Sequence, residues 1–301
     1  MIRFATIGSG DGAELAAFLS ATARCGVFCH AAAYPPSPGA DASLRLCTDL
    51  SSLAALDVDG VFLCGPTDRM FFEAALMLSS GKHVLCPSLA PLSLRQLDTL
   101  TALAQHHRVS LSELRPSAES PFYTALFEKV RQLGPLKTVN LQCCHRAAHA
   151  TRLAAAPARS SAHDALLQYG SPCVRLMVLL LGRPDRLTGE WCEFPGEPGG
   201  FGTIQAWYGD AAAELLFSGT CRLRVSNRIT GELGTLTFPD VYAPRGGEEQ
   251  ALSQWALKIG GRLDWRAPLQ QTRMELEIME KVDHLFRSHS QNSRLGARRS
   301  G

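Results

Sequence analysis

The chain opens on a strand, a glycine turn and a helix in immediate succession, and no other stretch narrows its choice of fold so far. Residues 1–7 read as a strand, Gly8-Ser9-Gly10-Asp11-Gly12-Ala13 follows at once, and residues 14–24, rich in Ala and Leu, read as a helix. In a dinucleotide-binding turn the first glycine permits the tight reversal, the second admits a pyrophosphate to the backbone, and a third small residue lets helix and strand pack closely. Gly8, Gly10 and Ala13 occupy those places. The unpaired N–H groups of the helix's first turn would then face phosphate oxygens. Gly8, Ser9, Gly10, Asp11 and Gly12 are therefore the expected cofactor-binding turn. Asp11 costs a few kcal/mol beside a pyrophosphate at an effective dielectric of about 20, unless it turns away as a helix N-cap.

The same rhythm continues downstream. Residues 26–33 are a largely apolar run ended by Tyr34-Pro35-Pro36. Residues 50–56 read as a helix, 58–64 as a strand closed by Gly65-Pro66, and 71–80 as a helix ended by Gly81. The strand 83–86, the helix 92–107 opened by Ser93 and the short strand 109–114 complete the series. Such alternation predicts a doubly wound parallel sheet with right-handed crossovers, the Rossmann architecture.

Beyond about Pro116 the pattern changes. A helix begins at Ser120-Pro121, residues 136–144 form a strand, and 165–181 form a helix ending at Gly182. Strand-like stretches at 202–208, 212–217, 221–227 and 235–238 are separated by short turns at Gly209-Asp210, Ser218-Gly219 and 231–234. Short turns between consecutive strands predict an open antiparallel sheet, hence a C-terminal α+β domain. The expected division is a dinucleotide-binding domain at 1–118, a substrate and oligomerisation domain at 119–287, including a last helix at 269–286, and a flexible basic tail at 288–301.

Length and composition fit two cores: 301 residues, 46% of them hydrophobic. A formal net charge of +2 gives no electrostatic reason to expect nucleic acid or an anionic membrane as partner. The ten cysteines lie mostly in apolar contexts, such as Cys64 and Cys86 at strand ends. They read as reduced thiols in a cytoplasmic compartment. Neither a secretory leader nor an apolar run long enough to span a bilayer is expected. Cys143, Cys144, His145 and His149 have no second pair at ligand spacing, so a structural role is expected and no metal. Lys82 lies before its strand and reads as a solvent-facing cation.

Several phrases resemble the glucose-fructose oxidoreductase and inositol dehydrogenase family, Gfo/Idh/MocA. Val58-Asp59-Gly60-Val61-Phe62-Leu63-Cys64-Gly65-Pro66-Thr67 is similar to that family's fourth-strand segment, and Gly81-Lys82-His83-Val84-Leu85-Cys86 to the stretch before its catalytic loop. Residues 113–121 resemble the segment leaving the nucleotide domain, closest in look to the dihydrodiol dehydrogenase branch. Gly231-Glu232-Leu233-Gly234-Thr235-Leu236 resembles the family's sheet turn. The resemblance implies NAD or NADP as cofactor, with the nicotinamide beside Gly65, Pro66, Thr67 and Pro87. It also implies a small-molecule substrate of the sugar, polyol or cyclic diol class between the domains, and a homo-oligomer formed through the C-terminal sheet.

The departures are as informative. Where the family has Glu-Lys-Pro, this chain has Pro87-Ser88-Leu89, and where its second-domain helix reads Asp-x-Gly-x-His with a further Asp, the chain reads Gln168-Tyr169-Gly170-Ser171-Pro172 and then Arg175. The family's interdomain Arg appears as Ala118. A serine hydroxyl has neither the charge nor the titration range of an ammonium. Ser88, Tyr169 and His163, the last oriented by Asp164, are the remaining candidate proton-handling residues. About 20 residues past the glycine turn, where a carboxylate would hold the ribose of NAD, stand Ala33 and Tyr34. Tyr34 is a candidate for stacking on adenine, with simple packing as its alternative. Two functions stay open: an NAD(P)-dependent oxidoreductase with atypical catalytic residues, and a catalytically silent protein that binds a nucleotide or metabolite and acts through interaction.

Overall fold

The computed structural model describes residues 1–8, 12–35, 44–64, 69–114, 121–144, 161–194, 199–220, 226–238, 248–264 and 269–299. The first half alternates β1 (Ile2–Ile7), α1 (Gly12–Cys25), β2 (Phe28–Tyr34), β3 (Arg45–Leu46), α2 (Leu50–Ala54), β4 (Gly60–Leu63), α3 (Met70–Ser79), β5 (His83–Cys86), α4 (Leu94–His107) and β6 (Leu111–Glu113). Then come α5 (Pro121–Arg131), β7 (Leu136–Cys144), α6 (Ser161–Ala165), a π-helical turn (Leu166–Gly170) and α7 (Ser171–Leu181). The remainder is β8 (Arg186–Glu193), β9 (Gly200–Tyr208), β10 (Ala211–Ser218), β11 (Asn227–Gly231), β12 (Gly234–Phe238), α8 (Glu248–Ile259) and α9 (Gln270–Arg299). The chain divides into two compact units, Met1–Tyr123 with Arg245–Pro268, and Thr124–Pro244 with Leu269–Gly301.

Unit 1 is built on a six-stranded sheet in the order β3-β2-β1-β4-β5-β6. All its pairings are parallel. That is the Rossmann order, with the strand sequence reversing direction between β1 and β4, where such sheets receive ligands at their carboxyl ends. Buried parallel strands are apolar on both faces, and every residue of β4 is buried. Local signals set the helix ends: Ser93 and Gln96 form a reciprocal capping box at the start of α4. The segment Arg245–Pro268 joins unit 1, which a division at residue 118 does not anticipate. Its helix α8 places Leu252 and Trp255, both fully buried, in a cluster with Phe4, Phe18, Phe62 and Leu85. Gly60 makes room for it, since a Cβ there would come within 2.6 Å of the Trp255 ring.

Unit 2 carries a second six-stranded sheet, β12-β11-β7-β10-β9-β8. The hairpin pairs β8–β9, β9–β10 and β11–β12 are antiparallel, but β7 and β10 run parallel. The expected antiparallel sheet is thus mixed, because β7 and β10 are joined by a long connection containing helices rather than by a turn. Of the strand expected at 221–227, residues 221–225 lie outside the described residues, and β11 begins at Asn227. Residues 162–181 are, among the described residues, the one helical run long and apolar enough to cross a membrane, and most of it is buried, as in a core helix. Helix α9 continues to Arg299 where the sequence predicts a frayed tail. No proline interrupts it there, and Gln, Leu, Ala and Arg are good helix formers.

Candidate functional site

Gly8 ends β1 with φ of +103°, a conformation that side chains disfavour. Its N–H donates to the Tyr34 carbonyl at 2.7 Å, and the Cys64 N–H donates to the Ile7 carbonyl at 2.7 Å. The turn is therefore held between the carboxyl ends of β2 and β4. A Cβ on Gly8 would sit 2.9 Å from the Cys64 carbonyl oxygen. This is a crevice that only a bare backbone fits, at the place where the strand order reverses. Helix α1 starts at Gly12. Ser9, Gly10, Asp11, Gly65, Pro66 and Thr67 lie outside the described residues. Tyr34, the last residue of β2, is partly buried and stands beside Gly8 on the neighbouring strand.

The segment after β5 is a tight loop. Pro87 and Ser88 are its partly exposed tip, while Leu89 and Ala90 turn inward and are buried. The Ser88 hydroxyl accepts the Ala90 N–H at 3.1 Å, and the Glu113 carboxylate accepts the Leu89 N–H at 2.8 Å. Burial first, then the charges of Glu113 and Glu73, push the Cys86 thiol well above its usual range, so it stays protonated and unreactive. Sequence reasoning gave Glu113 and Glu73 no role. The hydrogen bond from Leu89 to Glu113 spans 24 residues and leaves no local signal.

In unit 2, Tyr169 lies in the π-helical turn and is 5% exposed. His163 Nδ1 is 3.0 Å from Asp283 Oδ1 on α9, a partner 120 residues away. Adjacent residues on a helix point about 100° apart, whereas facing helices bring side chains together. Burial alone would raise the Asp283 carboxyl, but His163 and Arg287 together hold it below the usual carboxylate range. Arg175 is buried and forms an ion pair with the buried Glu275 of α9 at 3.5 Å. Cys143 and Cys144 are buried at the end of β7, and His145 and His149 lie outside the described residues. No disulfide joins the described cysteines.

Lys82 overturns its expectation as a solvent-facing cation: it is only 6% exposed, and its ammonium donates to the Leu56 carbonyl at 2.6 Å. Its neighbour His83 is held neutral. The Ser110 N–H donates to His83 Nδ1 at 3.0 Å, which leaves the proton on Nε2. Burial chiefly, opposed by Asp59 and assisted by Lys258, pushes its pKa down to about 4. The unfolded chain therefore takes up a proton below about pH 6.5 that the folded chain refuses until near pH 4. Stability from this group is complete above pH 6.5 and is lost on acidification through that window, by roughly 2–3 kcal/mol. Urea unfolding at pH 7 and pH 4 should show that loss in the wild type, and a loss smaller by that amount in His83→Asn. Equal losses would contradict the assignment.

No protein-family model matches the chain. It is 25% identical over 274 residues to the uncharacterized oxidoreductase YgjR of Escherichia coli (strain K12), covering 84% of this chain and 83% of that protein. It is 23% identical over 203 residues to the scyllo-inositol 2-dehydrogenase (NADP+) IolU of Bacillus subtilis (strain 168), covering 65% of this chain and 62% of that protein. Its fold is similar to that of the WlbA dehydrogenase from Bordetella pertussis in complex with NADH and UDP-GlcNAcA. The TM-score is 0.74 and the identity 14%, over 95% of this chain and 96% of that one.

Proposed function

We propose that the chain is an oxidoreductase of the Gfo/Idh/MocA type, a reading that its similarity to YgjR and IolU supports, and that it binds NAD or NADP on the turn at residues 8–12. In this reading the nicotinamide lies beside Gly65, Pro66, Thr67 and Pro87, and the substrate is a carbonyl or hydroxyl compound of the sugar, polyol or cyclic diol class. The observation that carries the reading is Gly8: its positive φ and the 2.9 Å approach of the Cys64 carbonyl leave room for backbone alone, at the strand reversal. Bound there, the cofactor supplies hydride chemistry. The chain supplies alignment and the handling of a proton. Of the three proton-handling candidates, His163 has the strongest support, because Asp283 fixes its ring and stays ionised to stabilise an imidazolium. Ser88 is engaged as a turn former and Tyr169 is buried.

A second reading, binding without turnover, is favoured by the Arg175–Glu275 pair, which puts a structural ion pair near the place of the family's acidic residue. In either case self-assembly would use the sheet row Thr188, Gln205, Glu214, Asn140 and Arg228, which the strand registers align side by side. That row is polar, so hydrogen bonds rather than apolar burial would hold such a contact.

Titration with NADH and with NADPH, followed by nucleotide fluorescence and calorimetry, tests the nucleotide site. Saturable binding of one is expected, weakened at least about 50-fold in Gly8→Val because the added side chain meets the Cys64 carbonyl while φ is strained. No binding at millimolar nucleotide would sink the site. Turnover of NAD(P)H with a panel of carbonyls then separates the enzyme from the silent binder.

A further inference from the structure

We propose that Glu113 is a positioning residue of the nucleotide site, holding the loop at residues 87–90 in the shape that its ligand meets; this rests on the nucleotide reading above. The chain has lost the family's Glu-Lys-Pro at this loop, and with it both long polar side chains. What fixes the loop instead is visible in its backbone. The β5–β6 ladder sets Cys86 opposite Glu113, and the Leu114 N–H donates to the Cys86 carbonyl at 2.7 Å, so the two strand ends are locked in register. From that anchored position the Glu113 carboxylate accepts the Leu89 N–H at 2.8 Å.

Two further bonds complete the turn. Ser88 Oγ accepts the Ala90 N–H, and the Leu89 carbonyl accepts the Leu92 N–H at 3.1 Å. These are local, within five residues, and would form in many loop positions. The bond to Glu113 alone among them ties the loop to the sheet. It also fixes which residues face inward: Leu89 is fully buried, leaving Pro87 and Ser88 as the partly exposed tip at the carboxyl end of β5. Ligands of open α/β sheets bind at that end of the strands. A buried N–H that loses its acceptor must find another, so removing the carboxylate should let the loop shift rather than stay in place.

The test compares Glu113→Gln, Glu113→Ala and Glu113→Asp in the full-length protein. Glutamine keeps an acceptor oxygen at the same reach, alanine removes it, and aspartate keeps the charge but withdraws it by one methylene. Amide exchange over residues 87–92 and the affinities for NADH and NADPH are measured together, with melting temperature as a check on global folding. The expected result is exchange of the Leu89 amide faster by at least about tenfold in Glu113→Ala and Glu113→Asp. Nucleotide binding should weaken by at least about fivefold in both, and both properties should return to within about twofold of wild type in Glu113→Gln.

If Glu113→Ala does not fold, the aspartate and glutamine variants make the same comparison. Unchanged Leu89 exchange, or a glutamine variant as impaired as the shortened ones, overturns the proposal. Loosened exchange with unchanged nucleotide affinity overturns it too, since the loop would then be irrelevant to the ligand. Wild-type protein that binds neither nucleotide defeats the nucleotide reading itself, and this positioning role with it; the wild-type titration distinguishes that failure from the others.

Discussion

Truncating Trp255 to alanine is expected to lower the unfolding free energy by about 3–5 kcal/mol, among the larger losses a single substitution gives. The ring is fully buried and stacks on Phe28 at 5.7 Å with an interplanar angle of 17°. It shares a cluster with Phe4, Phe18, Phe62 and Leu85, and on β4, the strand that carries Phe62, Gly60 leaves no space for a side chain. Alanine would leave a cavity that these aromatic neighbours cannot collapse to fill. The substitution also removes the main apolar contact by which α8, distant in sequence, is held on the first sheet. Trp255→Phe should be far milder, below about 2 kcal/mol, because it keeps most of the apolar surface and deletes an indole N–H with no hydrogen-bond acceptor among the described residues. Urea unfolding of the two variants measures both effects. A loss under about 1 kcal/mol for the alanine variant would mean that α8 does not depend on this anchor.

Glu275→Ala is expected to cost a similar amount, about 3–5 kcal/mol, for a different reason. Glu275 and Arg175 are both nearly sealed from solvent and join α9 to α7. Removing the carboxylate leaves a guanidinium, which cannot discharge itself by losing a proton, in a poorly solvated place. Replacing both partners, as Arg175→Met with Glu275→Leu, should be close to neutral or stabilising by about 1–4 kcal/mol, since neither desolvation penalty then remains. A double-mutant cycle read by urea unfolding separates the pair from its parts. Near-additive losses would show that the two residues act independently. The cycle bears on function as well: nucleotide affinity in the double variant equal to wild type would mark Arg175 as a structural residue.

Much of unit 1 is legible from its residues. Parallel strands covered on both faces must be apolar throughout, so Val61-Phe62-Leu63-Cys64 announces a strand, and Gly8 and Gly81 mark the ends of elements. Hairpins announce themselves through their turns, as Gly209-Asp210 does between β9 and β10. Strand β8 escaped because it is an edge, mostly exposed and polar, with no apolar run to reveal it. Helix α8 has apolar residues at Leu252, Trp255 and Ile259, but its attachment to unit 1 depends on the surface it finds rather than on anything within it.

For the candidate site the division is similar. The need for glycine at position 8 could be read directly, because a positive φ and a close backbone approach both demand the same residue type there. The acceptor of the Leu89 amide and the partner of His163 could not, because those bonds join residues 24 and 120 positions apart. The sequence by itself determined the opening strand and helix and the parallel alternation of the first sheet, since each is carried by residue type and local spacing. Only the tertiary structure decided that β7 pairs in parallel with β10, that α8 closes the first core, and that carboxylates from distant elements hold the 87–90 loop and the His163 ring. Packing and hydrogen bonding between remote segments are set by the geometry of the whole fold, which no local stretch of sequence contains.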